Sequence, residues 1–311
     1  MENVSIIRRA LITGPTGAVG ISLIFELINQ GIEVTAVCRP NSSRLKLIPN
    51  SPLVNVIECD LKDIKKLTKL VSGNYDAFFH FAWDGTYGDL RQNIPLQTSN
   101  ILFTLDAVDA AMALGCKVFI GAGSQSEFGH VDGILHPDMP CKPDNGYGIA
   151  KLAAGQLSRI RCKQFGIRHE WCRIISLYGP FDGAHTMVMS GIYEMLCGKE
   201  PAYTKGEQIW DYIYSKDAAK AFRLIAEKGK DGSVYCLGSG KTRKLREYIF
   251  AIRDAIDPEI QVRIGELDYY PNQVMHLEAD ITNLVEDTGF SIEYTFERGI
   301  RETVDWAKEN M

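Results

Sequence analysis

The chain has 311 residues, 45% hydrophobic, 23% charged and 10% aromatic, which is length for about two domains or one large one and excludes disordered, collagen-like and coiled-coil chains. With 34 Lys and Arg against 39 Asp and Glu the net charge is −5, so no global positive field recruits nucleic acid or an anionic membrane surface. No apolar run approaches the ~18 residues of a membrane span, and the N-terminus offers neither a signal-peptide apolar core nor a small-residue cleavage site. The expectation is a cytoplasmic protein with no nucleic-acid or membrane partner.

Short apolar runs alternate with helical stretches through the first 240 residues, the pattern of strand-helix units feeding a parallel sheet. Strands are expected at about 8–13, 32–38, 54–58, 75–81, 117–122, 169–175 and 233–237, with helices near 17–30, 92–115 and 147–165. The run Ala77-Phe78-Phe79-His80-Phe81-Ala82-Trp83 does not alternate, as suits a central strand covered on both faces. After about residue 176 the regularity weakens: a turn at Gly179-Pro180, a helix near 187–197, then further elements from 241 onward. The fold class expected is therefore α/β, a Rossmann-type doubly wound parallel sheet with a smaller C-terminal α/β substrate lobe. Residues 1–176 and 210–240 would form the sheet domain, and 177–209 with 241–311 the lobe. The eight cysteines are scattered with no Cys-x-x-Cys pair, so buried free thiols are expected rather than disulfides or a metal site.

Between the first strand and first helix lies Gly14-Pro15-Thr16-Gly17-Ala18-Val19-Gly20. In such a loop the first glycine makes the turn, the second lets backbone amides reach a pyrophosphate, and the third allows close helix packing. An NAD site commonly places an acid about 20 residues on, at the end of the second strand. Here that strand ends in Cys38-Arg39, and Arg39, Ser42, Ser43 and Arg44 supply groups for a 2′-phosphate. NADP(H) is expected over NAD(H), against the alternative that these arginines belong to a solvated turn. Asp60, after the third strand, would accept from the adenine amino group or simply cap the following helix.

Tyr147 and Lys151 stand four apart in Tyr-Gly-Ile-Ala-Lys, on one face of a helix. A neighbouring ammonium lowers a phenol's pKa and makes proton transfer practical. Ser124 lies just past the fifth strand, where a hydroxyl at the C-terminal sheet edge can hydrogen-bond a substrate carbonyl.

With these residues the chain resembles the extended short-chain dehydrogenase/reductases, the branch holding nucleotide-sugar epimerases, dehydratases and 4-keto reductases. The resemblance runs over nearly the full length. It rests on Gly14, Gly17 and Gly20, Asp60-Leu61, Asp76 with His80-Phe81-Ala82, Asn100, Ser124 to Gly129, Tyr147 with Lys151, Arg173 before Tyr178-Gly179-Pro180, and Gly206-Glu207-Gln208 leading to Asp217. It extends to the closing pattern from Asp280 through Gly289-Phe290 and Gly299-Ile300 to Trp306. It implies Ser124, Tyr147 and Lys151 as the catalytic triad, with Lys151 also on the nicotinamide ribose. Thr16, Ala18, Val19, Leu61, Phe81, Ala82, Trp83 and Asn100 would join the glycines around the cofactor. Pairing into a homodimer through the helices near 99–115 and 147–165 is also implied. Leu102, Leu105, Val108 and Met112 on one helix and Leu152, Leu157 and Ile160 on the other are spaced for helix packing, although the same residues could face the sheet.

Departures from the family pattern narrow the activity. Dehydratases of the family carry an acid and a base directly after the catalytic hydroxyl, whereas this chain has Gln125 and Ser126, with Glu127 one residue late. Three positions that commonly grip the substrate's diphosphate or nucleotide, an Asn and two Arg, are Ser176, Trp210 and Tyr270 here. Two cations are thereby exchanged for stacking surfaces. The substrate-binding set expected is Ser124, Gln125, Ser126, Tyr147, Ser176, Trp210 and Tyr270. The leading expectation is NADPH-dependent reduction of a keto-sugar, most simply a nucleotide-linked 4-keto-sugar, with Tyr147 as general acid. The alternatives are a nucleotide-sugar 4-epimerase with retained NAD and, in another class, a catalytically silent NADP-sensing regulator.

Overall fold

The computed structural model describes residues 6–311; residues 1–5, where the expected first domain begins, lie outside the described residues. Seven strands form one parallel sheet in the order Val234–Leu237, Arg168–Ile174, Val118–Ser124, Ala77–His80, Arg9–Thr13, Glu33–Cys38, Val54–Glu58. Ala77–His80, buried at all four positions, is the middle strand. Its non-alternating composition follows from helices on both faces.

Helices Ala18–Asn29 and Ser215–Lys228 cover one face, where Leu23, Ile24 and Leu27 meet Ala218, Phe222 and Ile225. Helices Ile94–Ala113 and Gly146–Phe165 cover the other through Ala107, Val108, Ala111 and Cys162. Val108, one of the residues spaced for helix pairing, thus packs toward the sheet. The sheet order reverses between Arg9–Thr13 and Ala77–His80, so the crevice past their C-terminal ends is a topological switch point, where α/β sheets bind ligands.

The remaining strands are short. Thr242–Lys244, Ile209–Asp211, His276–Ala279 and Gly133–Leu135 build a four-stranded sheet. Gly133–Leu135 arrives from between Ser124 and the helix of Tyr147 and pairs parallel with His276–Ala279. Asp132 accepts the Met275 and His276 amides at its start, and His136 Nδ1 lies 2.7 Å from Asp280 Oδ2 at its end. A separate aromatic and aliphatic core joins Tyr178, Met189, Ile192, Tyr214, Ile252, Ile300 and Val304. Among the described residues no helix is long and apolar enough to cross a membrane, and no cluster of three His, Cys, Asp or Glu could hold a metal ion. Six of the eight cysteines are buried.

Candidate active site

The packing of the glycine loop shows why Gly14 and Gly20 are needed. Gly14 has φ +68°, and a Cβ there would lie 2.7 Å from the Ala82 nitrogen, so the turn and its contact with the neighbouring strand end both require glycine. A Cβ on Gly20 would strike the Gly14 oxygen at 2.5 Å. Gly17 differs: its Cβ would meet nothing closer than 4.0 Å. That open side faces a cavity of about 380 Å³ lined by Gly14, Thr16, Gly17, Arg39, Ser42, Arg44, Asp60, Leu61, Phe81, Ala82 and Trp83. Gly17 caps the helix without a side-chain acceptor, so the first-turn amides of Ala18, Val19 and Gly20 are left to an anion. The bare cradle and these amides fit the pyrophosphate of a dinucleotide.

Ser43 is exposed and outside the cavity lining, and Ser42 caps a short 3₁₀ turn by accepting from the Arg44 amide. Arg44 is turned to protein: its guanidinium donates to the Thr16 carbonyl at 2.7 and 3.0 Å and to the Phe181 carbonyl at 2.7 Å. Arg39 is exposed on the cavity wall. Asp60 accepts from the Lys62 amide, its capping role. Asn100 is buried beneath the cavity, where its side chain bonds both the amide and the carbonyl of Asp84 at 2.9 Å. Gln97, which sequence reasoning passed over, accepts the Trp83 indole N–H at 2.8 Å and donates to the Gly85 and Leu90 carbonyls. Together these amides fix the segment that carries Trp83.

Ser124, Tyr147 and Lys151 converge at the strand ends. The Tyr147 helix begins at Asn145, which accepts from the Gly148 amide, and comes very close to the Ser124 loop because Gly148 has no side chain. A Cβ there would lie 2.2 Å from the Ser126 oxygen. Farther along, Gly155 with Gly121 and Gly123 forms a slot for the Trp171 indole. Burial raises the Tyr147 pKa, an effect opposed by the Ser124 side chain within hydrogen-bonding reach and by the charge of Arg91, and reinforced by Glu127. Lys151 is buried, donates from Nζ to the Ala122 carbonyl at 2.7 Å and lies 3.8 Å over the Trp83 ring. Desolvation pulls its pKa down to about 7, with Glu127 opposing.

The sequence expectation has Lys151 depress the phenol, but the nearer cation in the structure is another residue. Its Nζ stands 5.9 Å from the Tyr147 ring centroid, directed to a carbonyl and an indole. The cation that opposes the Tyr147 shift is Arg91, whose guanidinium carbon is 4.5 Å from the same centroid. Nothing in the sequence singles out Arg91, which sits in an irregular 3₁₀ stretch far from the motif residues.

Glu127 is fully buried and committed. It accepts from the Ser124 amide at 2.8 Å, the Trp171 indole at 2.9 Å and Arg173 Nε at 2.8 Å. Ser126 Oγ is taken by Arg91, and Gln125 Oε1 is buried without a hydrogen-bond partner. Ser176 and Trp210 meet, the indole N–H donating to the serine hydroxyl at 2.9 Å, whereas Tyr270 stands 78% exposed.

The model of the NAD dependent epimerase/dehydratase family matches residues 10–238. A dTDP-glucose 4,6-dehydratase of Mycobacterium tuberculosis is 22% identical over 97% of this chain and 94% of its own length. Among solved structures, a UDP-N-acetylglucosamine 4-epimerase from Methanobrevibacter ruminantium in complex with UDP-N-acetylmuramic acid superimposes with a TM-score of 0.83 at 26% identity, covering both chains completely. A UDP-glucuronic acid 4-epimerase from Bacillus cereus in complex with UDP-glucuronic acid and NAD gives a TM-score of 0.83 at 21% identity, over 97% of this chain and 100% of the other. With a matched model spanning the glycine loop, Ser124, Tyr147 and Lys151, the chain belongs to the NAD-dependent epimerase/dehydratase family of extended short-chain dehydrogenase/reductases and is an enzyme that works with a nicotinamide cofactor.

Proposed function

We propose that the chain reduces a keto-sugar carried on a nucleotide, most simply a 4-keto-sugar, using NADPH. The observation that carries this reading is the fate of the carboxylate nearest Ser124. Elimination of water needs an acid and a base at the substrate; Gln125 and Ser126 are neither, and Glu127 is spent on Arg173, Trp171 and a backbone amide. Proton chemistry then rests on Tyr147. Its raised pKa keeps the phenol protonated at neutral pH, which suits a donor to a carbonyl oxygen. Ser124 Oγ would hold that oxygen by a hydrogen bond, and Lys151 Nζ would reach the nicotinamide ribose. When bound, the nicotinamide supplies the hydride.

In this reading residues 1–176 and 210–240 hold the cofactor, and 177–209 with 241–311 form the substrate lobe, with Gln125, Ser176 and Trp210 meeting the substrate from the cofactor side. The Ser176–Trp210 pair offers an indole on which a base or sugar can stack, and Gln125 Oε1 is an acceptor awaiting a donor. One observation favours the second reading, a 4-epimerase retaining NAD. Besides the likeness to an epimerase over the whole chain, Glu58 stands in register with Cys38 and accepts the Asn41 amide at 3.0 Å, a negative charge behind the turn that would receive a 2′-phosphate.

Assays with nucleotide-linked 4-keto-sugars separate the two. Stoichiometric NADPH oxidation is expected, with Arg39→Asp moving the preference toward NADH by about tenfold or more, the scale of one lost charge-assisted contact. Interconversion of 4-hydroxy epimers with no net cofactor consumption, or NAD(H) bound at least as tightly as NADP(H), would overturn the reductase reading.

A homodimer is part of the same proposal. Leu102 and Met112 on one helix and Leu157 and Ile160 on its neighbour remain 43–58% exposed, while Arg161 and Asp109 tie the two helices together at 2.8 Å. Covering that apolar face is what a second copy would do. Light scattering should return twice the 34.7 kDa chain mass, and Ile160→Glu should return the monomer. A wild-type particle of one chain mass across a concentration series would remove the dimer.

A further inference from the structure

We propose that Arg91 is a positioning residue of the active site, a permanent cation set against Tyr147 and locked there by Ser126. The inference rests on the reading of Tyr147 as the proton donor and adds the group that tunes it. Geometry carries the argument. The guanidinium carbon lies 4.5 Å from the Tyr147 ring centroid, and Nη2 donates to Ser126 Oγ. Arg91 belongs to the turn Gly88–Gln92, which packs on the start of the Tyr147 helix: Gln92 Oε1 accepts the Gly146 amide at 3.2 Å, and a Cβ on Gly146 would lie 3.0 Å from the Arg91 carbonyl. Turn and helix are therefore in direct backbone contact.

Charges facing Tyr147 come from three directions. Glu127, on the Ser124 loop, disfavours phenolate, and Arg91 favours it. Lys151, on the same helix, directs its Nζ to the Ala122 carbonyl and the Trp83 ring, and with a pKa near 7 it is only partly charged at neutral pH. A guanidinium stays charged throughout. Arg91 is thus the cation that, beside the Ser124 hydrogen bond, counters Glu127 at the phenol, and Ser126, standing where dehydratases place proton-transfer groups, serves as its anchor. Proton transfer is easiest when donor and acceptor are matched, so the charge sets how readily Tyr147 gives up its proton.

The test follows the ionisation of Tyr147 directly. In protein labelled with ¹³Cζ-tyrosine and saturated with NADP⁺ or NAD⁺, the Tyr147 resonance is identified by its loss in Tyr147→Phe. Arg91→Met should move its titration midpoint up by about one pH unit, the scale of one half-buried charge at this distance, and Arg91→Lys should restore most of the shift. Ser126→Ala, which frees the guanidinium without removing it, should shift the midpoint upward by less, and it serves if Arg91→Met does not fold. An unmoved midpoint in Arg91→Met, or in Ser126→Ala if that variant alone folds, overturns the inference. Turnover of Tyr147→Phe is measured separately: retained turnover would overturn the proton-donor reading and leave the titration result standing.

Discussion

Tyr147→Phe should lower turnover by about 10²- to 10⁴-fold, the usual loss when a general acid is removed, while cofactor affinity stays near that of the wild type. The ring contacts survive the change: the edge contact with Trp83 at 6.1 Å and the Arg91 stack both use the aromatic face. The hydroxyl goes, and with it the transferable proton and the Ser124 hydrogen bond. Lys151→Ala should damage both turnover and affinity, because the Nζ that bonds Ala122 and lies on Trp83 would, in the proposed reading, also reach the ribose. Turnover and cofactor titrations on the two variants provide the check. Near-wild-type turnover in Tyr147→Phe would shift proton transfer to another group, Ser124 with an ordered water being next in line.

Glu127→Ala should cost about 3–5 kcal/mol of stability, since it leaves a buried guanidinium without its partner. Arg173 is 4% exposed and retains the Pro137 carbonyl at 3.0 Å and the Phe128 ring at 4.5 Å but no counter-charge among these contacts, while the Trp171 indole and the Ser124 amide each lose an acceptor. Against a typical total of about 5–15 kcal/mol, such a loss should bring the urea midpoint down sharply. Glu127→Gln should fall between, keeping an acceptor but losing the charge. If Glu127→Ala unfolds at the wild-type midpoint, the buried network does not stabilise this loop, and the argument that Glu127 is unavailable for chemistry weakens with it.

The core sheet is readable because its strands are runs of four to seven residues flanked by turn signals, and most are separated by helices of ten residues or more. Expected limits of 54–58 and 147–165 meet observed elements at Val54–Glu58 and Gly146–Phe165. The small strands were not readable. Ala202–Tyr203, Ile213–Tyr214 and Arg263–Ile264 span two residues each, too short for any period to register, and their pairing is imposed by packing. In the site, Ser124, Tyr147 and Lys151 could be read from position relative to strand and helix. Arg91, Gln97 and the Arg44 contacts could not, because their roles depend on where an irregular turn or a distant carbonyl lies in space.

The strand Gly133–Leu135 sews the chain together. It leaves the seven-stranded sheet, lies beside a strand more than 140 residues later, and returns to start the Tyr147 helix. Exchanging the C-terminal portion between relatives at breakpoints near 176 and 240 would therefore mismatch this seam, pairing one parent's 133–135 with the other's counterpart of His276–Ala279. Asp132 and His136 would then face foreign partners at both ends. Shuffled libraries built to redirect substrate choice should carry residues 130–137 with the C-terminal portion, as a third breakpoint block, or recover few folded chimeras.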